Sequence, residues 1–262
     1  MESLKSAVIP LKYEIGLSLI IPSYHEKNRI MKSLNKYMPV LESIGWRYEI
    51  IVVIDGEDGT EDLLNDIKNL TYYKSTSRLG KGGAVKKGFS LSRYSYVGYI
   101  DADGSLNEKD FENILLSLKN NCCSIASRYL KKSKWINKEP LFNIIASRSF
   151  NFIVNALFKL NVKDTQCGAK FFHKILLDKI LPAIKVRNRT FDVSILYHVK
   201  RLNYKINELP VTWNHDKDSN MPIKAAIIPM FVTIVAIKLM NSRIKKHVPK
   251  FLDEIVSKFT FY

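Results

Sequence analysis

Short apolar runs alternate with helical spacing through the first half of the chain. Leu17 to Pro22 (LSLIIP) reads as a buried strand, and Lys27 to Ser43 follows with Ile30, Leu34, Met38 and Leu41 on one helical face. Tyr48 to Asp55 (YEIIVVID) predicts a second strand, Glu61 to Lys68 a helix, and the segment TYYKST a short third strand. Gly82 to Ser92 predicts a helix, Tyr96 to Asp101 (YVGYID) a strand, and Asp110 to Leu118 another helix. This alternation specifies an α/β fold, a mainly parallel sheet with helices on both faces. Ligands of such sheets sit beyond the carboxyl ends of the strands, so the polar residues there are the first candidates for a site.

The second half is less regular. CSIAS and Ile206 to Trp213 (INELPVTW) read as strands, Leu141 to Leu160 and Phe191 to Leu202 as helices. A strongly apolar run, Ala225 to Ile237, is bounded by Lys224 and Lys238 and interrupted by Pro229. As a helix it would reach about 20 Å, short of the roughly 30 Å hydrocarbon core, so it predicts an interfacial or core helix. A basic patch (Arg243, Lys245, Lys246, His247, Lys250) and the amphipathic end FLDEIVSKF come after it. With no internal repeat or Gly/Ser linker, one domain is expected over residues 14–220. An amphipathic, basic helical appendage is expected over 221–262, suited to a membrane surface.

Charge sharpens this picture. In 262 residues, 41 Lys and Arg stand against 25 Asp and Glu, a formal charge of +16, which attracts anionic lipid, phosphorylated substrates or nucleic acid. No helix-turn-helix, zinc-finger or RNA-recognition pattern accompanies the charge, so nucleic acid is not the expected partner. Cys122, Cys123 and Cys167 make no disulfide framework and read as reduced thiols, as in the cytosol. The first twenty residues lack a continuous apolar core, so no secretory signal is expected.

Chemistry concentrates where the strands end. Asp101-Ala102-Asp103-Gly104 closes one strand, and two carboxylates spaced two apart can hold a hard divalent cation that bridges to a diphosphate. A plain Asp/Gly turn is the alternative. The first strand ends in Pro22-Ser23-Tyr24-His25-Glu26 and the second in Asp55-Gly56-Glu57-Asp58-Gly59-Thr60; Glu26 and Asp55 are placed to accept from a base or ribose. Asp58 or Thr60 could instead cap the following helix. Arg78-Leu79-Gly80-Lys81-Gly82-Gly83 opens a helix, where glycines allow close backbone approach and Lys81 favours phosphate.

Taken in order, these segments resemble a family 2 glycosyltransferase of the GT-A (Rossmann-like) fold, nearest in look to the polyprenol- or dolichyl-phosphate sugar transferases. Further motifs support the likeness from about Leu17 to about Asn220. They are Ala126-Ser127-Arg128-Tyr129, Arg148-Ser149-Phe150-Asn151, Asp164-Thr165-Gln166-Cys167-Gly168, Phe191-Asp192-Val193 and Glu208-Leu209-Pro210-Val211-Thr212-Trp213. The DTQCG segment leans toward the dolichyl-phosphate β-glucosyltransferase branch. The chain departs from the family pattern at His25 (usually Asn), Ile54 (the first Asp of DDGS), Ser194 (the Glu of FDVE) and Asn220.

The resemblance implies an inverting hexosyltransferase that uses a nucleotide sugar, UDP-glucose or alternatively GDP-mannose, and a polyprenyl or dolichyl phosphate acceptor. It implies Mg2+ or Mn2+ on Asp101 and Asp103, and donor contacts from Pro22, Tyr24, Glu26, Asp55, Lys81 and Asp101. Arg128 and Arg148 are implied for the acceptor phosphate, since a planar guanidinium suits phosphate oxygens. Asp192 either orients the acceptor or acts as a base, Gln166 lies near the sugar, and Cys167 packs. A peripheral enzyme on the cytosolic face of a membrane is expected.

Overall fold

A computed structural model describes residues 12–216 and 223–241. The elements run β1 (Glu14–Ser23), α1 (Lys27–Ser43), β2 (Tyr48–Ile54), β3 (Leu70–Lys74), α2 (Gly80–Leu91), β4 (Tyr94–Ile100), α3 (Glu108–Ser117) and β5 (Cys123–Ser127). They continue with β6 (Lys134–Asn137), α4 (Leu141–Phe158), β7 (Ala169–His173), α5 (Lys174–Ile180), α6 (Phe191–Arg201), β8 (Asn207–Pro210), β9 (Thr212–Asn214) and α7 (Ile223–Met240).

Seven strands form one sheet in the order β3-β2-β1-β4-β7-β5-β8. Strands β3, β2, β1 and β4 run parallel, with Leu17 opposite Tyr48 and Ser23 opposite Ile54, so their carboxyl ends share one edge. The central strands are apolar on both faces, as a covered parallel sheet requires. Leu19, Ile21, Ile50 and Val52 join Ile30, Leu34 and Tyr37 of α1 and Phe111 of α3 in one core layer. Ile20, Ile51 and Val53 point the other way, into a layer with Phe89 of α2, Val154 of α4, Leu196 of α6 and Ile234 of α7.

The structure departs from the expected elements in several places. Glu61 to Lys68 is not an α-helix: a single 3-10 turn (Thr60–Leu63) forms, and Asp66 and Asn69 take positive φ values of 64° and 60° that no helix continues through. Ile206 to Trp213 is two strands, since β8 pairs with β5 while β9 pairs with β6 in a separate two-stranded sheet. Strand β7, unread in the sequence, runs antiparallel between β4 and β5, so the sheet is mixed across its middle. Helix α5 was also unread. The apolar run near the C-terminus is helical as expected, but longer, in α7. Its Thr233 hydroxyl donates to the Pro229 carbonyl at 2.7 Å. The basic patch at 243–250 and FLDEIVSKF lie outside the described residues.

Among the described residues one helix, α4, is long and apolar enough by composition to cross a membrane. Only Asn151, Val154 and Phe158 of its side chains are buried, while Leu141, Phe142, Ile145 and Phe152 are exposed. It packs beside α7, which likewise exposes Ile227, Ile228 and Phe231. Both of these neighbouring helices thus carry exposed apolar side chains.

Candidate active site

The site is built where β1, β2 and β4 end. After β4, Asp103 accepts from the Ser105 backbone at 2.9 Å, and Asp101 stands one-third exposed with Lys81 Nζ at 2.8 Å. Space for Asp101 depends on Gly168, whose backbone carbonyl accepts from Asp101 N at 2.9 Å. A Cβ at residue 168 would collide with the Asp101 carboxylate. That accounts for a glycine in the DTQCG segment.

Glu26, at the start of α1, pairs with Arg29 at 2.7 Å. Burial, with Asp103 and Asp101 nearby, outweighs Arg29 and pushes its carboxyl up to about 7. Burial and the neighbouring Asp101 charge raise Asp103 as well. Three carboxyl groups crowding one another make a place where a divalent cation relieves repulsion. Among the described residues no group of three His, Cys, Asp or Glu has metal-ligand geometry. Asp101 and Asp103 are the carboxylates at the end of β4 that could hold a hard cation, whose shell phosphate and water oxygens would complete.

Asp55 is committed to the scaffold. Its carboxylate accepts from Leu79 N at 2.6 Å, from Gly80 N at 2.8 Å and from Arg78, tying the end of β2 to the start of α2. Arg78 in turn lies over the Tyr24 ring, 3.3 Å from its centroid, and Pro22 is the penultimate residue of β1. Arg78 is a site residue to which the sequence attached no role. Asp58 does not cap a following helix, since the 3-10 turn there has Gly59 at its N-cap and no side-chain cap; it accepts from Thr60 N at 3.1 Å and from Lys27 N, at the start of α1, at 3.0 Å. Gly82 answers to packing: a Cβ there would strike Phe191 and the Asn188 carbonyl, so α6 sits against α2 at this point. The ligand-approach reading of that glycine is replaced by helix packing.

Asp192, in the first turn of α6, is almost fully buried among cations. Lys170 Nζ donates to it at 2.6 Å, Lys81 is 3.7 Å away, and the Tyr99 hydroxyl donates as well. Burial alone would raise its pKa, but Lys170 and Lys81 outweigh burial and hold it below the usual carboxylate range. Lys170 itself is wholly buried, in a strand the sequence left unread.

Arg128 follows β5 and is also paired. It donates through Nε and Nη2 to Asp164 at 2.7 and 3.1 Å, and through Nη1 to Glu139 at 3.0 Å. The loop carrying Asp164 and Gln166 is held on two sides. Asn151 donates to the carbonyls of Val162 and Lys163, and Glu208 accepts from Lys163 N and Asp164 N. These contacts give the motif residues Asn151 and Glu208 a role that spacing could not. Arg148 is placed apart, donating to the Lys163 carbonyl at 2.9 Å and stacking over Tyr129. Cys167 is buried, and burial raises its thiol pKa, consistent with packing.

A cavity of about 260 Å3 joins these parts. Its lining combines charged residues, among them Lys81, Arg128, Glu139, Arg189 and Asp192, with Phe150, Ile153, Ile227, Met230 and Phe231 of α4 and α7. Arg148 is not on its wall; Arg189, which no motif flagged, is.

A parallel sheet edge bearing an Asp-Ala-Asp turn, beside a cavity of mixed charged and apolar lining, is the arrangement of a GT-A-like glycosyltransferase. Residues 18–181 match the profile of glycosyl transferase family 2, and the chain belongs to that family. It is 32% identical over 242 residues to the dolichyl-phosphate beta-glucosyltransferase of Dictyostelium discoideum, covering 86% of this chain and 74% of that protein. The enzyme of the same description from Saccharomyces cerevisiae is 30% identical over 250 residues, covering 86% and 75%. In fold, the chain is similar to glucosyl-3-phosphoglycerate synthase from Mycobacterium tuberculosis, solved with Mn2+, UDP and glucosyl-3-phosphoglycerate. The TM-score is 0.64 at 14% identity, covering 87% of this chain and 82% of that one.

Proposed function

We propose that this enzyme transfers glucose from UDP-glucose to a polyprenyl phosphate such as dolichyl phosphate, with inversion at the anomeric carbon. The observation that carries the reading is a cavity lined both by charged residues, including the Lys81 that pairs with Asp101, and by apolar residues of α4 and α7. An anionic head on a hydrocarbon tail matches both kinds of lining. The β-glucosyltransferase relatives supply the sugar and acceptor class.

In the reaction, an acceptor phosphate oxygen forms the new bond to C1 as the bond from C1 to the UDP oxygen breaks. The lipid phosphate is already anionic, so little base assistance is needed, and the work is alignment and stabilisation of the departing charge. Asp101 and Asp103 would hold Mg2+ or Mn2+, which when bound offsets the charge of the diphosphate. Pro22, Tyr24 and Arg78 border the base and ribose, and Gln166 the sugar. Arg128 and Arg189 receive the acceptor phosphate, with Arg148 bracing the loop behind them. Asp192, locked between lysines, serves as an anchor and not as a proton acceptor. The exposed apolar faces of α4 and α7 lie against the bilayer, on its cytosolic side, where they admit the acceptor's tail.

The test is an assay of UDP-glucose, GDP-mannose and UDP-N-acetylglucosamine with a polyprenyl phosphate in detergent. Lipid-phosphate-dependent transfer from UDP-glucose is expected. Preference for GDP-mannose would move the donor assignment, and failure with every lipid phosphate would overturn the acceptor.

A further inference from the structure

Lys81 sits between two carboxylates of unequal freedom. Its Nζ is 2.8 Å from Asp101 and 3.7 Å from Asp192. Asp192 is held in place, because Lys170 donates to it at 2.6 Å and Tyr99 donates to the same oxygen. Lys170 is itself pinned by a 2.7 Å bond to the Cys167 carbonyl. Asp101, by contrast, is one-third exposed on the nucleotide side. A flexible ammonium therefore has one fixed acceptor and one that another cation can claim.

We propose that Lys81 is a competing counter-ion for the metal site, exchanging between Asp101 and Asp192, so that metal binding and nucleotide binding strengthen one another. This rests on reading Asp101 as a metal ligand. A divalent cation on Asp101 repels the Lys81 ammonium and must displace it toward Asp192, which already neutralises Lys170. Metal alone meets that opposition. A nucleoside diphosphate removes it, because its phosphate oxygens accept from Lys81 while they also ligate the cation. By linkage, whatever factor the nucleotide adds to metal affinity, the metal adds to nucleotide affinity.

The experiment measures Mn2+ binding to the full chain by the loss of the free-ion paramagnetic resonance signal, with and without UDP. Lys81→Met is expected to tighten Mn2+ binding without UDP by about tenfold, within the usual range of site coupling, and to shrink the gain on adding UDP. Asp192→Asn, which removes the fixed acceptor and leaves Lys81 on Asp101, is expected to weaken Mn2+ binding without UDP. A purely structural role would weaken binding in both variants, so the opposite signs are the signature. Should Asp192→Asn fail to fold, Lys81→Met decides alone. Unchanged or weaker Mn2+ binding by folded Lys81→Met overturns the competition while leaving the metal site standing. Absence of Mn2+ binding to the wild type even with UDP overturns the metal reading and this inference together.

Discussion

Asp103 shares its surroundings with Asp101 and Glu26, and the consequences of that crowding are measurable one side chain at a time. Asp103→Asn keeps the shape and the acceptor for Ser105 N but removes a charge from the metal pair. Loss of metal stabilisation worth several kcal/mol predicts a fall in kcat of about a hundredfold or more, with an unfolding midpoint in chelator no lower than that of the wild type, since burial and Asp101 disfavour the Asp103 charge. Near-normal turnover in the folded variant would remove Asp103 from the metal. Glu26 makes a second prediction through pH. Its folded pKa of about 7 lies above the 4.5 of an ordinary glutamate, so the folded chain holds more protons between those values. Stability from this group is therefore present below pH 4.5 and is lost as pH rises through 7. Glu26→Gln should be more stable than wild type at pH 8, on the order of 2 kcal/mol, with the difference vanishing near pH 4. Denaturant unfolding at both pH values in chelator checks this, and a variant less stable at pH 8 would show that the Arg29 pair outweighs burial.

Between elements, a close joint near the site is where α2 meets α6. Gly82 lets the helices approach until Phe191 and the Asn188 carbonyl occupy the space of a side chain. This joint also brings Lys81 of α2 to Asp192 of α6. Gly82→Ala should destabilise by about 1–3 kcal/mol, as overpacking does. It should also weaken nucleotide binding, because Lys81 moves with its helix. Thermal unfolding and UDP titration read the two effects separately. A fully stable variant would mean that α6 yields without consequence. Spacing alone predicted both helices, within two residues at each end, because each carries apolar side chains at helical intervals. It could not predict their contact, since Gly82 and Phe191 are far apart in the chain. The 3-10 turn at Thr60–Leu63 failed for a related reason, as Asp66 and Asn69 adopt left-handed backbone that composition only permits.

The molecule as a whole is cationic, and among the described residues the neighbouring helices α4 and α7 expose apolar side chains. These two properties respond differently to salt, because charge attraction is screened within about 3 Å at 1 M while apolar burial is not. The protein should sediment with anionic vesicles at low salt and be released only in part at about 1 M. Replacing Phe152 and Ile228, 75% and 70% exposed, by Gln should leave stability within about 0.5 kcal/mol yet make release at high salt complete. Wild-type protein remaining in the supernatant at low salt would refute the membrane-facing surface. The sequence by itself determined the α/β alternation, the Asp101/Asp103 turn at a strand end and the family motifs, because local periodicity and residue type are written in short windows. Only the tertiary structure decided that Asp55 is spent on α2, that Arg128 is bound by Asp164 and Glu139, and that Arg189 and not Arg148 lines the cavity. It alone also placed Lys170 beneath Asp192. Those facts are pairings between residues distant in the chain, and a charged side chain acquires its partner only when the sheet order and helix packing bring the two together.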